Sequence, residues 1–275
     1  MPLRRPLFLC LTALLLVGCM KVSTTLTVRP DGSGTITERL TVDDDLAGMM
    51  RAMDQAADST GANRDLFSED EIRAEADSLP GLSLQSFTRI DDTTETGYEA
   101  VYAFENLNDI SFDPAPDDVM PDRATDEMDG NPFELMSAMQ FSFTPGRPAS
   151  LTIRMPRDTT EAESDDATAD SLASDDDSPS QTELDMLRAM MQDTGIRVAV
   201  AIDGTIVETN ATHRTGSTVT LMDLDFGTLA QDSTAFREMM TLSDAPAGAR
   251  ATIDRLNALP GMTIEPQETV TIRFR

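Results

Sequence analysis

The sequence is poor in the residues from which most active sites and cross-links are built. Its 275 residues include two cysteines, one histidine, two tyrosines and no tryptophan. It contains no Cys-x-x-Cys pair, His-Glu-x-x-His motif, phosphate-binding loop or Gly-x-Ser-x-Gly motif. The single histidine, His213, is predicted to lie in a surface loop without a role, because a triad or a zinc site needs partner side chains. We therefore predict a protein that is not an enzyme and has neither a cofactor nor a dedicated metal site.

Positive charge is also scarce. The chain has 21 basic residues against 49 acidic ones, a net charge of −28, and Lys21 is its one lysine. Nucleic acid repels so acidic a chain, so we do not expect nucleic acid to be a partner. A surface of this kind is typical of proteins that work at high salt, where repulsion between like charges is screened. A halophilic source is therefore one hypothesis.

The first 18 residues carry the clearest signal in the sequence. Two arginines precede an apolar run at residues 7–17, which has the length of a signal peptide's apolar region and is too short to span a bilayer. The run ends in Leu16, Val17, Gly18 and Cys19, which resemble the lipobox of bacterial lipoproteins. The resemblance implies a signal peptide at residues 1–18 and a lipid on the sulfur of Cys19. An ordinary signal peptide with a chance cysteine and an uncleaved anchor are the alternatives.

Several expectations follow from a lipidated Cys19. The mature chain would keep 19 basic and 49 acidic residues, a net charge of −30. Cys10 would leave with the leader, so no intramolecular disulfide is expected. Met20 stands where an aspartate retains lipoproteins in the inner membrane of enteric bacteria. We therefore expect the protein in the cell envelope, on the periplasmic side of the outer membrane if its source has two membranes.

Apolar periodicity predicts an α+β fold, with an antiparallel β-sheet packed by helices on one face. Residues 21–42 alternate on both sides of a turn at residues 30–34, which predicts a β-hairpin. Residues 19–157 and 181–275 are predicted to be the two parts of one α+β domain. Residues 158–180 contain nine acidic and no basic residues, and we predict that this insert is disordered.

The two parts of the chain resemble each other in their order of elements. Each is predicted to run through a hairpin, a pair of helices, a Leu-Pro-Gly joint and a strand, and the joints are residues 79–81 and 259–261. A duplicated β-β-α-α-β unit would explain this order. Helix-to-strand joints often use proline and glycine, however, so the likeness can also arise without duplication.

Methionine is unusually frequent, with 17 residues. Several of them cluster on predicted helices: Met49, Met50, Met53, Met186, Met190, Met239 and Met240. Thioether clusters can bind Cu(I), but methionine more often fills irregular cores. A third interpretation is that these flexible side chains line an adaptable pocket for an apolar ligand.

Two segments of the C-terminal part match a known sequence pattern. Residues 207–210 read Val-Glu-Thr-Asn and residues 216–220 read Gly-Ser-Thr-Val-Thr, similar to a "V-x-E-S/T-N … G-N-T-V-T" segment of the LppM-type envelope lipoproteins. Asp31-Gly32 matches the turn of their N-terminal hairpin, whereas Leu221 and Met222 stand where an aromatic residue often follows. The resemblance implies an α+β envelope domain with a lipid-binding cavity and no established enzymatic role.

These observations together predict a lipid-anchored envelope protein that binds an amphiphilic ligand or a protein partner at the membrane. The alternatives are a structural or assembly lipoprotein of the envelope and an enzyme whose site the sequence does not reveal. A cluster of polar groups with shifted pKa values in a cleft would favour the enzyme. An exposed apolar patch or a free edge strand would favour the assembly protein.

Overall fold

A computed structural model describes residues 20–57, 66–92, 94–110, 139–155, 181–242 and 249–275. Within these ranges the chain has the predicted α+β fold, with two largely antiparallel sheets and six α-helices. The predicted signal peptide, Cys19 with the preceding lipobox residues, and the acidic insert all lie outside the described residues.

The strands differ widely in length. In chain order they are β1 (Met20–Val28), β2 (Gly34–Asp43), β3 (Leu82–Asp91), β4 (Glu95–Phe104), β5 (Gln140–Thr144), β6 (Ala149–Arg154), β7 (Gly195–Ile202), β8 (Ile206–Thr209), β9 (Arg214–Thr215), β10 (Thr218–Asp225), β11 (Met262–Ile264) and β12 (Thr269–Phe274). The helices are α1 (Asp44–Ala57), α2 (Glu69–Ser78), α3 (Gln181–Met190), α4 (Phe226–Gln231), α5 (Ser233–Leu242) and α6 (Ala249–Leu256).

The larger sheet has the strand order β11-β10-β7-β1-β2-β4-β3, with β9 paired to β10. Its pairs are antiparallel except for β1 and β7, which run parallel from the pair Lys21–Gly195 to the pair Val28–Ile202. This pairing joins both parts of the chain in a single sheet. The smaller sheet has the order β5-β6-β12-β8 and is antiparallel throughout.

The predicted N-terminal hairpin is present as β1 and β2, in register from Met20–Val42 to Val28–Gly34. The chain turns through Gly32, whose φ is +90°. The Asp31 side chain accepts a hydrogen bond from the backbone N–H of Ser33 at 3.0 Å and so stabilises the turn.

The two Leu-Pro-Gly joints share one geometry. Gly81 and Gly261 have φ values of 81° and 79°. The N–H of Leu82 donates to Leu79 O and that of Met262 donates to Leu259 O, each at 3.3 Å. Proline followed by a glycine with positive φ is the pattern of a type II turn. The strands that follow the two joints lie at opposite edges of the larger sheet, because β3 pairs with β4 and β11 pairs with β10.

The helices pack on one face of the larger sheet, the inner face. Under α1 and α2 the buried side chains form a smaller core cluster: Met20, Val22, Leu40, Val42, Leu46, Ala47, Ile72, Ala76, Leu84, Tyr98 and Ala100. The rest of the inner face packs against the smaller sheet and helices α4 to α6 in a larger core cluster that includes Leu26, Ile36, Leu151, Val200, Phe236 and Ile272. The opposite, outer face carries threonines on β1 and β2, at positions 25, 27, 35 and 37.

Candidate ligand-binding site

Polar side chains interrupt the apolar inner face where the two core clusters meet. Thr24 lies on β1 with only 3% of its surface exposed. It is paired with Glu38 on β2, which in turn is paired with Ala100 on β4. Tyr98 and Tyr102 lie on either side of Ala100 along β4. We call Thr24, Glu38, Tyr98 and Tyr102 the polar seam.

One hydrogen bond holds the centre of the polar seam. The hydroxyl of Tyr98 donates to Oε1 of Glu38. Burial raises the pKa of the Glu38 carboxyl above its usual value, and the hydrogen bond from Tyr98 only partly opposes this effect. The negative charge of Glu75, on α2, raises the pKa of Glu38 further. Desolvation therefore dominates the electrostatics of this carboxyl.

Both tyrosines of the chain belong to the polar seam. Burial raises the pKa of the Tyr98 phenol and that of the Tyr102 phenol, and the charge of Glu38 is the second cause for each. Both hydroxyls therefore keep their protons at neutral pH and can donate hydrogen bonds.

Aromatic rings border the polar seam on the side of α2. The ring centroid of Tyr98 is 5.4 Å from that of Phe67 at an interplanar angle of 55°, and 5.7 Å from that of Phe87 at 22°. Phe67 and Phe87 are half-buried, as are Glu38 and Tyr102. Tyr102 packs against both core clusters. The polar seam is thus partly accessible to solvent and has apolar groups on both sides.

The polar seam is a cluster of polar groups with raised pKa values, a feature that favours an enzyme, and it also has the apolar neighbours that a binding site needs. A molecule with a polar head and an apolar body could place the head against Glu38 and the tyrosine hydroxyls, and the body against the neighbouring apolar side chains. A nucleophile activated by an adjacent base needs a second, hydrogen-bonded partner. Among the described residues, the Glu38 side chain makes one hydrogen bond, which it accepts from the hydroxyl of Tyr98.

The methionines predicted to line a pocket are divided between different parts of the structure. Met50 packs against the smaller core cluster, whereas Met239 and Met240 pack against the larger one. Met49 and Met186 are exposed by 39% and 50%. The structure therefore does not bring Met50 together with the pair on α5. Met53 belongs to α1 and Met190 to α3, but their side chains are outside the described part of the structure.

A second polar cluster surrounds Glu265, which is fully buried. Its Oε2 accepts the backbone N–H groups of Thr212 at 2.8 Å and His213 at 3.1 Å, and its Oε1 accepts that of Gln267 at 3.1 Å. His213 is half-buried rather than on the surface, because this anchoring draws its loop inward. Its Nε2 has no hydrogen-bond partner among the described residues. We interpret Glu265 as a structural anchor for the loop.

The segment that resembles LppM-type proteins is also structural. Asn210 donates from Nδ2 to Thr269 O at 2.8 Å and accepts the N–H of Thr271 at 2.7 Å, so its side chain extends the pairing of β8 with β12. Asn257 binds the N–H and C=O of Ile264 on β11 in the same way. Asn108 forms the same two hydrogen bonds with the N–H and C=O of Phe143 on β5.

A groove of about 310 Å³ lies at the end of the larger sheet where β1 begins. It is lined by Lys21, Thr41, Val42, Asp43, Thr94, Glu95 and Asp193. The ammonium of Lys21 pairs with Glu95 at 3.1 Å, so the groove offers mainly carboxyl groups to a ligand. Within the described part of the chain, no group of three or more His, Cys, Asp or Glu side chains is arranged to hold a metal ion.

The sequence contained one signal for the polar seam. Ile36, Glu38 and Leu40 alternate on the same face of β2, so an acidic residue stands at an apolar position. Such a break in an alternating strand indicates a buried polar group. Its contact with Tyr98 depends on the pairing of β2 with β4, which the pattern within one strand does not reveal.

Comparisons with known proteins give little further information. No protein-family model matches the chain, and no curated protein sequence is significantly similar to it. The chain is similar to the NMR structure of the folded domain of LppM from Mycobacterium tuberculosis, with 11% identity and a TM-score of 0.33 over 76% of this chain and 84% of that domain. A likeness this distant carries no functional argument. Among the described helices, none has the length and apolar character needed to cross a membrane.

Proposed function

We propose that this protein is a lipid-anchored component of the cell envelope that binds an amphiphilic ligand over the polar seam and catalyses no reaction. The observation that carries the proposal is a half-buried carboxyl and two phenols set between two apolar clusters on one sheet face. Buried polar groups are normally satisfied inside a protein. A partly accessible polar row bordered by apolar side chains fits a ligand of mixed character.

The anchor is supported by the sequence of residues 16–19. Strand β1 includes Met20, the residue that follows the proposed lipid site. The larger sheet would then start directly at the lipid. We expect Cys19→Ser to block lipidation and to leave an unprocessed precursor, because the sulfur carries the lipid. Membrane fractionation and intact-mass measurement check this expectation. Normal processing and membrane attachment of the Cys19→Ser protein would contradict the proposed anchor.

Mass spectrometry of molecules that co-purify with the detergent-extracted protein tests the binding function. We expect an amphiphile to be retained by the wild-type protein and depleted in Tyr102→Phe, which keeps the ring and loses the hydroxyl. Thr37→Val, on the outer face, is the matched control and should retain the ligand. Equal retention by both variants, or no retained amphiphile in any sample, would contradict binding at the polar seam.

An assembly role is the second candidate, and strand β3 favours it. Asn257 and Asn108 occupy the edges of β11 and β5 with side-chain hydrogen bonds. Strand β3 forms the other edge of the larger sheet, and among the described residues it pairs with β4 alone. An edge strand can accept a strand from a partner protein. Crosslinking from Ser83→Cys at this edge would capture such a partner.

A further inference from the structure

The charges around the polar seam select among amphiphilic ligands. Glu38 faces the seam from β2, and Glu75 acts on it from α2, since its charge also raises the pKa of both tyrosines. The guanidinium of Arg89, on β3, donates to the backbone carbonyl of Phe67 at 3.1 Å. Arg51, on α1, donates to the hydroxyl of Thr96 at 3.4 Å. Both guanidiniums keep their positive charge but are directed at uncharged oxygens, whereas the Glu38 carboxyl lies at the centre of the seam and would repel an anionic head group placed there.

Aromatic ring faces also favour a cationic head group over an anionic one. Tyr98 and its neighbours Phe67 and Phe87 form a ring cluster directly beside the Glu38 carboxyl. A cation close to the face of an aromatic ring is attracted by the ring quadrupole, and aromatic side chains commonly recognise quaternary ammonium ligands in this way. The acidic chain, with a net charge of −28, further favours the approach of cations.

We infer that the polar seam binds amphiphiles with a cationic, ammonium-type head group, which Glu38 and the aromatic cluster recognise while the apolar chain lies against the core side chains. This inference rests on the proposed function, because it names the class of ligand for the same site. It predicts the weakest binding for amphiphiles whose head group is a phosphate or sulfate without a compensating ammonium.

The two tyrosines make the site directly observable. The chain has no tryptophan, so its intrinsic fluorescence arises mainly from Tyr98 and Tyr102. The full-length protein, held in a non-ionic amphipol, is titrated with hexyltrimethylammonium, hexyl glucoside and hexyl sulfate, which share one apolar chain. Sodium chloride at ~0.5 M reduces the Debye length to a few ångströms and suppresses non-specific attraction to the acidic surface.

We expect hexyltrimethylammonium to change the tyrosine emission at concentrations about tenfold lower than hexyl glucoside. Hexyl sulfate should bind most weakly. Glu38→Gln should remove most of the preference for the ammonium head. Glu99→Gln is the matched control, because Glu99 lies on the outer face of β4, where it pairs with Arg39 at 3.9 Å. It removes the same charge and should leave the preference unchanged.

The outcomes separate this inference from the proposed function. Equal binding of the three ligands would overturn the ammonium preference and leave amphiphile binding in place. Loss of the preference in Glu99→Gln as well as in Glu38→Gln would also overturn it, since general charge would then be the cause. If none of the ligands changes the tyrosine emission, both the inference and the proposed function fail. Circular dichroism of each variant verifies that it is folded.

Discussion

Glu38 and Glu265 are both acidic residues in the interior of the fold, but their surroundings differ. Glu265 is fully buried and accepts three backbone N–H groups, an arrangement that compensates for the loss of water. Glu38 is half-buried and accepts a phenol hydroxyl, and its pKa is raised because burial outweighs that hydrogen bond. Glu265 therefore stabilises the fold, whereas the burial of the Glu38 carboxyl lowers stability at neutral pH; under the proposed function this carboxyl would contact the ligand.

Glu38→Gln should stabilise the folded protein at neutral pH. A raised pKa means that the folded state binds this proton more tightly than the unfolded state does. The corresponding stabilisation is present below the usual pKa of 4.5 and is lost as the pH rises through the folded pKa. Glutamine can still accept the hydrogen bond from Tyr98 and carries no charge facing Glu75.

Urea denaturation checks the prediction for Glu38→Gln. We expect a gain of about 1 kcal/mol in the free energy of unfolding at neutral pH, the usual size of a single-substitution effect. The gain should shrink as the pH falls through the raised folded pKa, and it should have reached its minimum below pH 4.5. Glu99→Gln on the outer face is the control. A stability difference that stays constant with pH would show that the ionisation of Glu38 is not its cause.

The tyrosines should resist ionisation for as long as the protein stays folded. The usual pKa of a phenol is 10.0, and burial raises the pKa of both Tyr98 and Tyr102 above it. Their contribution to stability is present in full below pH 10.0 and declines above it, where unfolded chains lose the phenol protons first. Phenolate absorbance should therefore appear together with unfolding, monitored by circular dichroism. Phenolate formation near pH 10.0 in the folded protein would contradict their burial.

At the scale of elements, the two Leu-Pro-Gly joints provide a matched pair. Gly81 and Gly261 have nearly the same positive φ, so alanine should cost about 1–2 kcal/mol at either position from backbone strain. The space beside them differs. A Cβ on Gly261 would lie 2.5 Å from the carbonyl oxygen of Asp225 and 2.9 Å from Cβ of Thr228, whereas one on Gly81 would lie 3.1 Å from a methyl group of Ile110.

Gly261→Ala should therefore destabilise the protein more than Gly81→Ala, by about 1–3 kcal/mol for the additional overlap. The difference in melting temperature between the two variants measures this directly. Equal losses would indicate that the segment after α6 can shift without breaking its contact with α4.

The elements that the sequence predicts depend on patterns within a few residues, whereas the missed ones depend on contacts between distant segments. The hairpin of β1 with β2 and both joints were predictable, because alternation and Pro-Gly turn chemistry act within a few residues. The parallel pairing of β1 with β7 was not, since it joins strands that are distant in sequence. The hairpin predicted for the C-terminal part is also absent at β7, because β8 leaves the larger sheet and pairs with the distant strand β12. The polar seam depends on such distant pairings, and for this reason only the break at Glu38 could be seen in the sequence.

At the scale of the whole molecule, net charge is the dominant electrostatic feature. The chain has 49 acidic residues against 21 basic ones. Ion pairs such as Arg273–Glu208 and Arg73–Glu69, both at 2.7 Å, lie on exposed surfaces. Exposed pairs contribute about 0–1 kcal/mol each. Too few arginines are present to neutralise the carboxylates, so repulsion is stronger in the compact state than in an expanded chain.

Salt should consequently raise the stability of the protein. Increasing the ionic strength from ~0.01 to ~1 M shortens the Debye length from ~30 to ~3 Å and removes most of the repulsion between surface carboxylates. We expect the melting temperature to rise smoothly with sodium chloride, and equally with potassium chloride, because screening depends on ionic strength rather than on the identity of the cation. A calcium titration at constant ionic strength separates screening from specific binding. A sharp, saturable increase at micromolar calcium would mean that the chain holds a dedicated cation site, whereas a flat response would leave screening as the cause.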